Sequence, residues 1–174
     1  YPRILEEIYA SAGRDLRPEG LPRQGPAVGR RVALTARFHA DAATIPPTGG
    51  AYVLWVETDA PAAGLPPGRY LYCGSARGPG GLRARLGRHL RRGKTLRWHV
   101  DHLTEAGRTP GAWVVEGGDE CVLVAALLAA GLTVPRPGFG SSDCRRCPAH
   151  LLAWPPEAAL PPFLPVAARA APGG

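Results

Sequence analysis

Apolar residues along this chain follow two different periods. Residues 51–57 and 69–73 are runs of aromatic and β-branched side chains. Turn-forming residues separate them, from Asp59-Ala60-Pro61 to Pro66-Pro67-Gly68, so the pattern predicts a long hairpin of neighbouring strands, whose loop could serve as a specificity element. After Pro79-Gly80-Gly81 the period lengthens. Leu82, Leu86 and Leu90 recur four residues apart and Gly93 supplies a stop, which predicts a helix over 82–92. At ~100° per residue, Arg85, His89 and Arg92 share one flank of its leucine stripe. A further helix is expected over 96–106, a short strand over 112–116, and a helix over 119–130 with Asp119 near its N-cap and Gly131 beyond its end. Apart from its first turn this last helix is apolar all round, so it is expected to be buried. Upstream, residues 2–12 read as a short helix, and Val32, Leu34, Ala36 and Phe38 as one strand within a Pro-, Gly- and Arg-rich stretch. Residues 155–174 are rich in Pro and Ala without periodicity, the pattern of a disordered tail.

At 174 residues the chain suits one domain with flanking segments. The organisation expected is an N-terminal extension over 1–48, a domain over 49–154 and a tail over 155–174. The longest apolar run, residues 121–130, is about half of the ~20 residues that span a bilayer. With no secretory pattern at the N-terminus, a cytoplasmic location without membrane contact is expected. The sequence contains no Met, so it is expected either to start after its true initiator or to be a fragment, and it contains no Asn.

Charge changes the picture through its distribution. Residues 77–97 hold Arg77, Arg83, Arg85, Arg88, Arg91, Arg92, Lys94 and Arg97 and no acid, and this stretch produces the whole net charge of +7. A localised positive field suits the phosphates of a nucleic acid, and an ordinary solvated helix face explains it more blandly.

Around this stretch lies a spaced set: Gly50-Ala51-Tyr52, then Tyr72-Cys73-Gly74-Ser75-Ala76, then Arg85 with His89 four residues on, and later Glu120. That order resembles the GIY-YIG nuclease superfamily over residues 49–154. The strings Gly80-Gly81-Leu82, Arg88-His89, Trp98-His99-Val100-Asp101 and Phe139-Gly140-Ser141-Ser142-Asp143-Cys144 are similar to a prokaryotic branch of it. The resemblance implies an α+β fold, with a small, mainly antiparallel three-stranded sheet flanked by helices. It implies a metal-dependent endonuclease acting on DNA, with repair or recombination as the analogous role. In that reading Glu120 holds Mg²⁺ or Mn²⁺ and Arg85 contacts the scissile phosphate. Tyr52, Tyr72 or both act on water, His89 relays a proton near neutral pH, and His99 supports substrate or base. An unperturbed phenol is only ~0.1% ionised at pH 7, so positive charge from Arg85 and the metal must help. Many members carry a late Asn, for which Ser141, Ser142 or Asp143 would stand in here.

Each residue also has a plainer role. Glu120 suits a helix N-terminus, the tyrosines suit strands, and either imidazole could be structural. Cys121, Cys144, Cys147 and His150 could supply four zinc ligands, or the thiols could simply pack. The alternatives to a nuclease are a non-catalytic nucleic-acid-binding module, zinc-stabilised or not, and a regulatory domain attached to an upstream enzyme.

Overall fold

The structure, a computed structural model, describes residues 35–165. The helix expected over 2–12, and Val32 and Leu34 of the early strand, lie outside the described residues.

Five antiparallel strands form one sheet in the order β1-β4-β2-β3-β5. They are β1 (Arg37–His39), β2 (Gly50–Thr58), β3 (Gly68–Ala76), β4 (Arg108–Glu116) and β5 (Leu151–Ala153). The helices are α1 (Gly81–Leu90), α2 (His99–Ala106) and α3 (Glu120–Ala129). The α+β class is as expected, but the sheet has five strands rather than three. The two extra strands lie at the edges and are three residues long, barely more than one period of the strand alternation.

Alternation along the strands builds a core on each face. Tyr52, Leu54 and Val56 of β2, Tyr70 of β3 and Val114 of β4 pack with Leu82 and Leu86 of α1 and Val100 and Leu103 of α2. The intervening residues Val53, Leu71, Cys73, Trp113 and Leu152 are buried on the opposite face, on which α3 packs through Leu123, Val124 and Leu127. α3 is therefore buried along one face only. Val122 is 44% exposed, because the sheet covers one side of the helix and no described element covers the other.

The hairpin of β2 and β3 pairs Gly50 with Ala76 at one end and Thr58 with Gly68 at the other. Tyr52 sits near the first end, six residues or ~20 Å from the connecting loop. That loop closes on itself through an Ala62–Leu65 bridge, and Leu65 enters the core. The loop lies at the far end of the hairpin from Tyr52, and the length of the two nine-residue strands accounts for the spacing of the tyrosines.

Three boundaries move for identifiable reasons. α1 ends at Leu90 instead of 92, since the buried Lys94 ammonium donates to the carbonyls of His89 (3.1 Å) and Arg91 (2.8 Å) and caps the helix there. α2 starts at His99 instead of 96, because the Asp101 carboxylate accepts from the backbone N–H groups of Arg97 (2.8 Å) and Trp98 (3.0 Å) and holds them outside the helix. β4 starts at Arg108 instead of 112, its Pro110 accommodated where the pairing with β2 shifts register between Trp55 and Glu57.

The tail expectation is corrected over 155–165, which packs on the sheet. The indoles of Trp154 and Trp113 donate to the carbonyls of Ala158 and Pro165, each at 2.8 Å, and Leu164 is buried. A proline-rich composition excluded helix and strand here, but it did not exclude packing. The remainder of the expected tail lies outside the described residues.

Candidate active site

β5 pairs with β3 over 70–72 and the Cys73 amide still donates to the His150 carbonyl (2.8 Å), so the β3 edge is left for a site beyond Cys73. Tyr52 lies opposite Gly74 and Tyr72 opposite Leu54. The two rings share a sheet face, with centroids 6.5 Å apart. Gly74 is required by this packing, since a Cβ there would land on the Tyr52 hydroxyl. Gly140 does the same for Tyr72. It adopts a φ of +71°, and a Cβ on it would come within 2.6 Å of the Tyr72 ring.

α1 is seated by backbone contacts, its Leu82 and Arg83 amides donating to the carbonyls of Thr48 (2.8 Å) and Pro46 (3.2 Å). His89 on this helix is buried, with Nε2 2.8 Å from the Tyr52 hydroxyl. Its Nδ1 lies 3.9 Å from Asp101 and has no hydrogen-bond partner. The carboxylate favours the proton on Nδ1, which assigns Nε2 as acceptor and the Tyr52 O–H as donor. Burial pushes His89 down to about 3, with Asp101 opposing and Arg85, Arg88 and Lys94 assisting. The imidazole is thus neutral at pH 7, with Nε2 free to accept a proton. Burial also raises both phenols, Tyr52 well above its usual value and Tyr72 up to about 12, while Arg85 pulls each down.

Asp101 links this cluster to the basic stretch. Burial alone would raise its carboxyl, but the Arg88 fork (2.8 Å to each oxygen) and the amides of Arg97 and Trp98 hold it well below the usual carboxylate range. Arg88 is therefore spent inside the protein rather than offered to nucleic acid. Arg92 is spent too, donating to the carbonyls of Glu105 (2.7 Å) and Gly107 (2.6 Å) at the end of α2, and Lys94 is buried against Glu105 at 2.9 Å. Of these three, Lys94 is buried, Arg88 is half-buried and Arg92 stays exposed. Arg77, Arg83, Arg91 and Arg97 remain exposed, although Nε of Arg83 donates to the Ile45 carbonyl.

Arg85 differs from all of them. Its guanidinium lies 4.7 Å from the centroid of the Trp98 ring and has no hydrogen-bond or ion-pair partner among the described residues. Glu120 is likewise unpaired. It opens α3, whose N-cap Asp119 accepts from the amides of Cys121 (2.7 Å) and Val122 (3.3 Å). Both side chains face one cavity of about 250 Å³, together with Tyr52, Tyr72, Gly140, Asp143, Cys144 and His150. A groove of about 440 Å³ adjoins it through Tyr72, Gly140 and Asp143, and is lined further by Arg97, Trp98, His99 and Ser142. His99 thus lies in the groove, its ring against Phe139 at 5.7 Å, and does not line the cavity.

The fold therefore brings together Tyr52, Tyr72, Arg85, His89 and Glu120. Sequence reasoning missed Asp101 as the partner of His89 and Arg88. The visible signal was an acid in the first turn after Trp98, but its pairing across a loop leaves no period in the sequence. Of the three residues proposed to stand in for the late Asn, Asp143 borders the cavity.

Beside the cavity, Cys121, Cys144, Cys147 and His150 converge, with their ligand atoms all within 4.8 Å of one another. This is a cluster able to hold a metal ion such as zinc. Among the described residues no helix is long and apolar enough to cross a membrane.

A family model described as Domain of unknown function DUF123 matches residues 56–167, more than half of the chain. The chain belongs to the DUF123 family. The DUF123 match includes Tyr72, Arg85, His89, Glu120 and the Cys/His cluster, and it begins after Tyr52. No curated protein and no solved structure matches the chain.

Proposed function

We propose that this DUF123 protein is a GIY-YIG-type endonuclease that hydrolyses phosphodiester bonds in DNA with the help of a divalent cation. The observation that carries this reading is that an unpaired guanidinium and an unpaired carboxylate, Arg85 and Glu120, face one cavity with the tyrosines of two neighbouring strands. Leaving both charges unpaired in a half-buried site is costly for a structural role, and their opposite signs suit a phosphate and a cation respectively.

Arg85 binds the scissile phosphate and stabilises the charge that develops on its oxygens. Tyr52 accepts the proton of the attacking water as its own passes to Nε2 of His89, and the resulting imidazolium forms opposite Asp101; the water oxygen bonds to phosphorus as the bond to the leaving oxygen breaks, and that oxygen takes a proton from solvent. This transfer avoids a free phenolate, which burial disfavours, and Asp101 offsets part of the burial that also disfavours the imidazolium. Tyr72, raised by burial to about 12, stays protonated and donates a hydrogen bond within the cavity. Glu120, with Asp143 on the same wall, offers the hard oxygen donors that Mg²⁺ or Mn²⁺ prefers. Such a cation supplies charge neutralisation at phosphate and acidifies a bound water. The exposed arginines hold the DNA backbone, a recognition of phosphate and shape more than of sequence.

The test is cleavage of labelled single-stranded, duplex and branched DNA in Mg²⁺ or Mn²⁺. Products that depend on the cation and vanish in Tyr52→Phe support the reading. Salt-sensitive binding without products moves the assignment to a non-catalytic nucleic-acid-binding module.

A further inference from the structure

We propose that Cys121, Cys144, Cys147 and His150 form a structural zinc site that fastens the 139–150 segment to the first turn of α3. In a tetrahedral zinc site with Zn–S near 2.3 Å, neighbouring sulfurs lie about 3.8 Å apart. The Cys121 and Cys144 sulfurs are already 3.6 Å apart, and all four donor atoms fit within 4.8 Å. The four cysteines of the chain are free thiols.

A second observation points to a ligand. His150 is only 7% exposed, and its Nε2 is buried with no hydrogen-bond partner. An orphaned buried nitrogen costs about 1–3 kcal/mol. A cation shared with the three sulfurs removes that cost. The backbone amide of Arg146 already donates to the Cys144 sulfur at 3.4 Å, a bond that a thiolate accepts better than a thiol. Four protein donors fill a tetrahedral shell, which is the signature of a structural site; a catalytic one keeps a position open. Binding exchanges the three thiol protons for one Zn²⁺ and releases them to solvent.

The location gives the site its purpose. Between α3 and β5 the chain runs about twenty residues with no helix and a single bridge, Thr133 to Ala153, a length that is uncommon in a compact domain without an added constraint. This connection carries Gly140, which seats Tyr72, and Asp143, while Cys121 directly follows Glu120. Zinc would lock these pieces into one wall of the cavity. The binding itself is independent of the nuclease reading, and only this positioning role rests on it.

The test is metal analysis of the full chain expressed with zinc. One zinc per chain is expected in wild type, with full retention in Cys73→Ala and at least a tenfold loss in Cys147→Ser. Because Cys147→Ser could fail to fold, wild type is also exchanged with Co²⁺, where the intense visible absorption of a tetrahedral thiolate-bound ion is expected. A chain with a Cys121–Cys144 disulfide, a substoichiometric zinc content or an octahedral cobalt spectrum would overturn the proposal. Zinc content is read without any cleavage assay, so a zinc-loaded but inactive protein would sink the nuclease reading alone.

Discussion

The hydroxyl of Tyr52 donates to Nε2 of His89 at 2.8 Å, joining a central strand to the last turn of α1 across 37 residues of chain. Asp101 faces the other ring nitrogen and Arg88 holds Asp101, so a buried line of polar groups runs from the cavity to the basic stretch.

If this line carries the proton of the attacking water, Tyr52→Phe and His89→Ala should each slow single-turnover cleavage by about 10²–10⁴-fold. Affinity for DNA should stay within a few-fold of wild type. The double variant should lose little more than either single one, because both changes break the same transfer. Additive losses would place the two residues in separate roles.

Arg85 and Arg88 are one helical turn apart and should behave in opposite ways. Arg85→Ala removes an unpaired cation, so cleavage should fall by at least 10²-fold with little change in the thermal midpoint. Arg88→Ala leaves the buried Asp101 carboxylate with the Arg97 and Trp98 amides but no countercharge, and should cost about 3 kcal/mol in denaturant unfolding. Equal stability losses in the two variants would refute this division.

Gly74→Ala places a methyl group against the Tyr52 hydroxyl. Overpacking of this kind costs about 1–3 kcal/mol, and the displaced ring should reduce cleavage as well. Gly140→Ala should act similarly through Tyr72, with added strain from its left-handed backbone. Calorimetry of the two variants, compared with Gly78→Ala, where a Cβ meets nothing, checks the account.

Stability should fall on acidification in two stages. His89 is neutral when folded down to about pH 3, but takes a proton near pH 6.5 when unfolded. The unfolded state therefore binds more protons between these values, and stability declines as pH falls through that window, by about 1.4 kcal/mol per unit at most. Asp101, depressed when folded, adds stability above the unfolded value near 3.9 that is lost below it. His89→Gln should shrink the first stage, leaving what His39 and His150 contribute through burial, and keep the second, as measured by urea unfolding from pH 7 to pH 3.

Local patterns made much of this fold legible. The leucines at 82, 86 and 90 fixed α1, the Tyr-bearing runs fixed the central hairpin, and Asp119 marked the start of α3. What stayed hidden depends on contacts between distant residues. The alternation of β5 is too short to register, while Ala36 and Phe38 announced a strand at β1 without its pairing, and the cap that Lys94 places on α1 cannot be read from a charge count. The basic stretch shows the same limit. Arg85 and Arg88 look alike in sequence, and only the Asp101 carboxylate separates an unpaired cation from a structural one. The packing of residues 155–165 depends on indole donors from Trp113 and Trp154 that their own composition does not contain.

The most direct measurement is the single-turnover cleavage rate of end-labelled DNA, titrated with Mg²⁺ or Mn²⁺, for wild type and Glu120→Ala. The account predicts cation-dependent products from wild type and none above background from Glu120→Ala, with the variant folded and still binding DNA. Cleavage at the wild-type rate in Glu120→Ala, or no cleavage by wild type on any substrate form, would contradict it.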